Sequence, residues 1–408
     1  MCAGTAIQRP PPSNLPRPAS LCRSELNFQG VEIFPVKILI TNASLDTSSG
    51  TEIVARDLAQ AIARAGHTPI VFSGTLGAIA EELRATGIQV TDNLAQIDAA
   101  PDIIHGHHHQ PLMEALLYFP ETPAIYLSHD GSSIVDEPIY FPRIRRYFAV
   151  DERCRNRILQ TIGPAAGEVS LMLNAVDLDR FLPRAPLPER PRRALLFSNH
   201  ARNDTYLPAV RKACARAGIP LDVMGSGTGT ASSTPEKGLP SYDLVFAKAR
   251  CALEAMATGC AVILCDFAGA GAYVTAATFD EMRRKNFGRA LLTQPIKAEV
   301  LLREIQRYDP ADAAAVSQRV RSEAGLEEAA KQWLAIYADI LDDFSLHMID
   351  RKAEGHAASL YIGRWHSLQR ITWEKDQAAR LKRIPMIGNF VHRTGVRLLR
   401  RFSSDSSL

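Results

Sequence analysis

"YDLVFAKARCALEAMATGC", residues 242–260, joins two secondary-structure patterns at one corner. Residues 242–247 form a short apolar run that predicts a strand, and residues 251–258 are rich in helix-forming Ala, Leu and Met. Two cations, Lys248 and Arg250, stand at the corner, and the carboxylate Glu254 follows one turn later. The pattern permits two interpretations: a surface ion pair between Arg250 and Glu254, or an anion-binding site at a helix N-terminus.

The order strand–helix–strand occurs twice along the chain. The first unit begins with "VKILITN" at residue 36, continues through a helical pattern over residues 52–66, and ends with the strand pattern "TPIVFS". About 155 residues later, "RALLFSN", a helical pattern over residues 204–218 and "LDVMGSG" repeat that order. Two such units predict an α/β fold with two Rossmann-like domains, built on parallel sheets and facing each other across a cleft.

Composition along the chain predicts the domain boundaries. A proline-rich segment, 1–35, predicts disorder, and a proline-rich linker at 185–191 separates an N-terminal domain, 36–184, from a C-terminal domain, 190–325. A long helical pattern over 323–344 closes the body, so we assign a closing helix to 326–349 and a basic tail to 350–408.

Charge and cysteine usage exclude several classes of protein. The body, 36–349, holds 32 Lys and Arg against 37 Asp and Glu, which does not fit a nucleic-acid-binding protein. Seven cysteines without paired spacing favour reduced thiols in a cytoplasm. The sequence shows neither a signal peptide nor a run of 18 uncharged apolar residues, so we expect a cytoplasmic protein.

Unusual residues collect where predicted strands end, which is where open parallel sheets bind ligands. They are Ser49-Gly50-Thr51, His107-His108-His109, His129-Asp130, Asn199-His200, Gly225-Ser226-Gly227 and the 248–254 corner. The glycine clusters fit neither the dinucleotide nor the P-loop pattern, and each is either a tight turn or a close approach of backbone N–H groups to an anion. We predict no metal site at the histidines, because consecutive side chains on an extended strand point to opposite sides.

Several stretches, in this order, resemble the retaining, metal-independent glycosyltransferases of family 4, which have the GT-B fold. "SSGTEIVARDLAQAIARAGH" resembles the glycine loop and first helix, and "PDIIHGHHHQP" and "YLSHD" resemble strand ends that bear histidine. "LNAVDLDRFLP" resembles the segment that ends the first domain, and "LEAMATGCAVILCD" resembles the donor-site helix and its following strand. The resemblance spans residues 36–344.

The resemblance implies a role for each matching residue. Glu254 matches the glutamate that binds the ribose of the donor, and the N-terminus of its helix would offer backbone N–H groups to a diphosphate. His129 and His107 match positions that face the transferred sugar and the acceptor, and we assign them as catalytic candidates. The donor-binding residues that we predict are Glu254, Lys248, Arg250, Cys251, Gly50, Thr51, Gly225, Ser226 and Asn199.

Two departures from the family pattern affect these assignments. Phe246 stands where the family has its first motif glutamate, eight residues before Glu254, which leaves the sugar identity and the anomeric outcome open. "SNHARND" replaces a segment that normally supplies an Arg and a Lys to the diphosphate. We expect Lys248 and Arg250 to take the place of that pair.

The tail has a separate interpretation. Residues 350–408 hold 12 Lys and Arg against 5 Asp and Glu, and "IPMIGNFVHRTGVRLLRRF" interleaves apolar residues with arginines. This pattern fits an amphipathic helix on an anionic membrane, which would place the protein at the inner face of that membrane, and equally a helix packed on the body.

The sequence therefore predicts a glycosyltransferase of hexosyltransferase type without a cofactor. The expected partners are a nucleotide-sugar donor and a glycan or lipid-linked acceptor, and the expected setting is the synthesis of cell-surface polysaccharide or glycolipid. The alternatives are a non-catalytic nucleotide-sugar-binding protein, a nucleotide-sugar epimerase of the same fold and, more remotely, a hydrolase that uses the histidines.

Overall fold

The computed structural model describes residues 25–26, 32–33, 35–47, 50–345 and 348–382. The N-terminal unit, 1–35, contains two short antiparallel strands, β1 (Glu25–Leu26) and β2 (Glu32–Ile33). Most of this unit, for which the sequence predicts disorder, lies outside the described residues. All elements below belong to the second unit, 36–408.

The N-terminal half forms a parallel sheet of seven strands in the order β5-β4-β3-β6-β7-β8-β9. The apolar residues of its strands are buried and form nearly continuous runs, as expected for a parallel sheet covered by helices. The strands are β3 (Lys37–Thr41), β4 (Thr68–Phe72), β5 (Gln89–Thr91), β6 (Ile103–His107), β7 (Ala124–Ser128), β8 (Ile144–Ala149) and β9 (Val169–Leu171). The helices are α1 (Gly50–Arg64), α2 (Ala78–Ala85), α3 (His109–Tyr118) and α4 (Glu152–Ile162).

The C-terminal half forms a second sheet of five strands in the order β11-β10-β12-β13-β14. The strands are β10 (Ala194–Phe197), β11 (Leu221–Met224), β12 (Leu244–Ala247), β13 (Ala261–Asp266) and β14 (Gly269–Tyr273). The helices are α5 (Leu207–Ala217), α6 (Pro235–Gly238), α7 (Ala249–Thr258), α8 (Phe279–Arg284), α9 (Ala298–Ile305) and α10 (Pro310–Glu323). The predicted parallel pairing holds for β10 to β13, and β14 is added at one edge in antiparallel orientation to β13.

The helix predicted over 323–344 begins three residues later in the structure. Helix α10 ends at Glu323, and the next helix, α11 (Leu326–Phe344), begins after Gly325, whose φ of −68° and ψ of 139° are extended. Gly325 instead forms a parallel bridge with Val176. Apolar side chains of α11, among them Trp333, Tyr337 and Ile340, then join the core of the N-terminal sheet.

The first half of the predicted basic tail packs on the body. Helix α12 spans Arg351–Lys382. Glu354 forms a buried ion pair with Arg143, Ala357 is buried, and the Tyr361 hydroxyl lies 3.0 Å from Nδ1 of His109. The stretch at 384–402, for which we predict either a membrane contact or packing, lies outside the described residues. In the described part of the chain, no helix combines the length and apolarity needed to cross a membrane.

Candidate functional site

The site begins at the corner between β12 and α7, which a single residue, Lys248, connects. Lys248 has extended backbone angles, and Ala249 follows with a φ of 48°, which is unusual for a residue other than glycine. This short connection leaves Phe246 inside the strand, where its side chain is fully buried. Because no loop extends from the corner, a carboxylate eight residues before Glu254 would point into the core rather than toward a ligand.

Arg250 occupies the first turn of α7 and bridges the two halves of the chain. Its guanidinium donates a hydrogen bond to Asp57, which lies on α1 of the N-terminal half. On the other side, Nε of Arg250 lies 2.8 Å from Oε1 of Glu254. This contact is an ion pair but not a hydrogen bond, because the N–H of Nε does not point at the carboxylate. Asp57 also accepts a hydrogen bond of 2.8 Å from Arg56. The surface ion pair considered above is therefore a buried cluster.

Burial and charge act in opposite directions on this cluster. Burial alone would raise the pKa of Asp57, but Arg250 and Arg56 hold that pKa below its usual value. For Glu254, burial prevails over the attraction of Arg250, and the pKa is raised. Burial would lower the pKa of Arg250, yet Asp57 and Glu254 raise it, so the guanidinium stays charged.

A cavity of about 110 Å³ lies between α1 and the carboxyl ends of β10 and β11. Glu254 and Arg250 form one wall, and Gly50 lies opposite on α1. The other walls combine apolar and polar side chains, a mixture typical of small-ligand pockets. They include Phe181, Phe197, Asn199, Met224, Gly225, Ser232, Ser233 and Cys251. We refer to this space as the first cavity.

A second cavity, of about 320 Å³, shares Gly50 and Arg250 with the first and extends toward the N-terminal sheet. Lys248 lines it and forms an ion pair with the fully buried Asp266, with Nζ 2.6 Å from Oδ2. The backbone is unusual here, since Asn286 has a φ of 54° and lines the cavity together with Ala249. Such costly backbone conformations cluster at functional sites.

His129 lines the second cavity from the end of β7. Its backbone N–H donates a hydrogen bond of 2.9 Å to Oδ1 of Asp136, which fixes the turn. The ring nitrogen Nε2 is buried, and none of the described residues hydrogen-bonds to it. Burial lowers the pKa of His129 well below its ordinary value, so the imidazole is neutral at pH 7.

His107 lies behind His129 rather than at the cavity wall. Its side chain is fully buried, and the two ring centroids are 4.6 Å apart. On the other side, the His107 ring centroid lies 4.7 Å from that of His105, which contacts the hydroxyl of Tyr337 on α11. Burial, followed by the charge of His129, lowers the pKa of His107 well below its ordinary value. A contact between His107 and a substrate would therefore pass through His129.

The structure brings most of the predicted residues together around these two cavities. The members found at the walls are Gly50, Thr51, His129, Asn199, Gly225, Lys248, Arg250, Cys251 and Glu254. Ser226 is exposed beside them, and its N–H donates a hydrogen bond of 3.0 Å to Oδ1 of Asn199. Sequence reasoning missed Asp57 and Arg180, which approach the corner from segments far away in the chain, as well as Arg153 and Arg289.

Part of the chain that forms this site matches a known protein family. Residues 48–180 match the family model described as Glycosyltransferase Family 4. This match covers 133 of the 408 residues, all of them in the N-terminal half. Among curated proteins, none matches the chain. The predicted resemblance to this family is confirmed, and with it the assignment to the glycosyltransferase type of enzyme.

Solved structures that align with about three quarters of this chain establish its fold. A glycosyltransferase from Rickettsia africae aligns with 75% of this chain and 99% of its own, at 16% identity and a TM-score of 0.53. HepE from Anabaena, in complex with UDP and glucose, aligns with 74% of this chain and 99% of its own, at 15% identity and a TM-score of 0.56. A complex of HepE with UDP-glucose gives a TM-score of 0.55 at the same identity. The prediction of two Rossmann-like domains, which the family resemblance implies to be the GT-B fold, is therefore confirmed.

Proposed function

We propose that this protein transfers a sugar from a nucleoside diphosphate sugar to a hydroxyl group of an acceptor, a glycan or a lipid-linked molecule. The observation that carries this proposal is the arrangement of Glu254 and two cations at the start of α7, opposite His129 across one cleft. The complexes of HepE with UDP and UDP-glucose support a donor of this class, because that protein has the same fold.

In this proposal the first cavity holds the nucleoside and Glu254 accepts hydrogen bonds from the ribose hydroxyls. The diphosphate lies at the N-terminus of α7, where Lys248, Arg250 and the N–H of Cys251 meet it. Arg250 retains donor capacity there, because Asp57 and Glu254 contact only two of its three nitrogens. Gly50 and Thr51 approach the phosphates from α1.

The reaction breaks the bond between the anomeric carbon and the β-phosphate oxygen and forms a bond from that carbon to the acceptor oxygen. The acceptor proton leaves with the nucleoside diphosphate. Positive charge at the α7 N-terminus stabilises the departing phosphate, the largest contribution that such a site can make. The neutral His129 orients a sugar or acceptor hydroxyl through Nε2. We propose a metal-independent and retaining reaction in the synthesis of cell-surface glycans or glycolipids.

The test combines donor binding with product release. UDP-glucose and GDP-mannose are screened by thermal shift, and release of nucleoside diphosphate from the stabilising donor is then measured with and without acceptor sugars. We expect release to depend on the acceptor. Glu254→Gln should weaken binding of the nucleoside diphosphate, whereas the exposed Glu281→Gln should not.

The alternatives give different outcomes in the same assay. An epimerase would change the configuration of the donor sugar without an acceptor, and a binding protein would bind the donor without releasing nucleoside diphosphate. Equal donor affinity in Glu254→Gln and Glu281→Gln would contradict the assignment of the first cavity.

A further inference from the structure

Helix α4 of the N-terminal half, like α7, has a cation in its first turn, and this turn faces the second cavity. Arg153 is the second residue of α4 and lines this cavity. A positive charge in the first turn of a helix opposes the macrodipole, which favours anions there. The stem of Arg153 rests on Gly131, since a Cβ added to that glycine would lie 2.6 Å from Cγ of Arg153. An arginine held at a position that disfavours cations indicates a role other than helix stability.

Arg289 lines the same cavity from the C-terminal half. Its guanidinium lies over the ring of Phe267, 5.6 Å from the centroid, and Phe267 is 46% exposed at the cavity. Lys248 and Arg250, in contrast, are paired with buried carboxylates. Within the part of the chain that the structure describes, no carboxylate lies within ion-pair distance of Arg153 or Arg289.

The two carboxylates that line the cavity accept hydrogen bonds from other groups. Burial would raise the pKa of Asp130, but hydrogen bonds from Ser132 and Ser133 and, to a smaller extent, the charge of Arg153 lower it. Oδ1 of Asp151 accepts the N–H of Cys154 at 2.8 Å, which caps α4. Oδ1 of Asp130 accepts the N–H of Ser132 at 2.6 Å and closes a turn. His129 also lines this cavity.

Beyond Arg153 the space continues into a third cavity of about 470 Å³ on the outer side of α4. Its walls come mainly from α4 and also from Lys285 and Ala290 of the C-terminal half, and Glu254 does not line it. Arg157 and Lys285 are among its lining residues, but each pairs with a carboxylate, Glu137 and Glu281 respectively. A ligand that enters here reaches Arg153 before it reaches His129.

We propose that the acceptor of the transferred sugar carries an anionic group, a phosphate or a carboxylate, and that Arg153 and Arg289 bind this group. The inference rests on the proposed function, since it assigns the donor diphosphate to the α7 N-terminus and the anionic group of the acceptor to the part of the second cavity that Arg153 and Arg289 line from the two halves. Bidentate contacts with a guanidinium suit either anion. The anion also gains from the partial positive charge at the start of α4.

The experiment uses the full chain saturated with UDP, so that the donor phosphate positions are filled. Calorimetric titrations compare glucose 6-phosphate, glucuronate and glucose at one ionic strength. We expect at least one charged probe to bind tenfold or more tightly than glucose, and the preferred probe identifies phosphate or carboxylate. Arg153→Gln and Arg289→Gln should each remove most of this preference without changing UDP affinity more than twofold.

Arg155→Gln is the matched control, because Arg155 lies two residues further along the same helix and is exposed. This variant should keep the preference. The inference is overturned if both charged probes bind no more tightly than glucose, or if the preference survives in the Arg153→Gln/Arg289→Gln double variant with an unchanged melting temperature. Failure of UDP to bind is a separate result and counts against the proposed function, and the three probes are then titrated without UDP.

Discussion

Arg250→Met tests whether the buried ion cluster holds the two halves of the chain together. Methionine keeps much of the aliphatic stem of Arg250 and removes the guanidinium. The change leaves two buried carboxylates, Asp57 at 1% and Glu254 at 5% exposure, without their shared partner. Removing one partner of a buried pair costs about 3–5 kcal/mol of unfolding free energy. Since Arg56 still contacts Asp57, we expect a loss near 3 kcal/mol, at the lower end of that range.

The pH dependence of this loss follows from the two carboxylates. In the native cluster the pKa of Asp57 is lowered, so its contribution to stability is present above the unfolded value and is lost as pH falls through the folded pKa. Burial raises the pKa of both carboxylates, and the charge of Arg250 lowers it. Without Arg250, the folded-state pKa values of Asp57 and Glu254 therefore rise. A buried carboxylate with a raised pKa destabilises the fold above that pKa and is relieved by protonation. The stability difference between the native protein and the variant should therefore shrink between pH 7.5 and pH 5.

Urea denaturation followed by tryptophan fluorescence measures both effects, because Trp333 is buried in the core of the N-terminal sheet. Arg319→Met is the control, since Arg319 pairs with Asp280 and Glu323, which are exposed. This surface variant should hardly change stability. A loss in Arg250→Met no larger than in the control, or a loss that stays constant with pH, would refute the structural role of the cluster.

The remaining predictions concern ligands. Lys248→Ala should weaken UDP binding by ~1.5–3 kcal/mol, the size of a charge-assisted hydrogen bond, and unchanged affinity by calorimetry would leave Lys248 as the partner of Asp266 alone. His129→Ala should lower turnover strongly while UDP affinity is kept, and normal turnover per folded molecule would remove His129 from the site. EDTA should leave turnover intact, and a loss restored by Mn²⁺ or Mg²⁺ would contradict the metal-independent proposal. Deleting residues 382–408 should reduce binding to phosphatidylglycerol vesicles but not turnover on soluble acceptors; equal vesicle binding would argue against a membrane contact.

Most of the fold was predictable because its signals are local. Each parallel strand is a short apolar run, and each helix that follows shows its own periodicity, so the two βαβ units could be identified from the sequence. Strand β14 was not predicted, because "GAGAY" is rich in glycine, a weak strand former. The three-residue difference between the helical pattern over 323–344 and the start of α11 also depends on a glycine. Gly325 leaves the helix to bridge Val176, a partner about 150 residues away.

The site was predictable only where its residues share one segment. Lys248, Arg250 and Glu254 stand together in the sequence, so their junction identified the donor side. The bond from Arg250 to Asp57 joins residues 193 positions apart, and no local pattern marks Asp57, which is one polar residue within an amphipathic helix. Arg153 carried a signal that could have been used, since Asp151 is a residue type that caps helices and Arg153 is a cation two residues after it.

Lys248 and Arg250, the two cations at the α7 corner, differ in the ion pairs that each would break by moving toward a phosphate. The side chain of Lys248 is 28% exposed, and its partner Asp266 keeps a hydrogen bond of 2.6 Å from the N–H of Phe267. Lys248 can therefore move to an anion without leaving a buried carboxylate wholly unpaired. Arg250 is 9% exposed, and if it left the cluster the buried Glu254 would lose its cation while Asp57 would keep only Arg56 and Arg180. We therefore expect Lys248 to affect mainly phosphate affinity, and Arg250 to affect mainly stability and the orientation of Glu254.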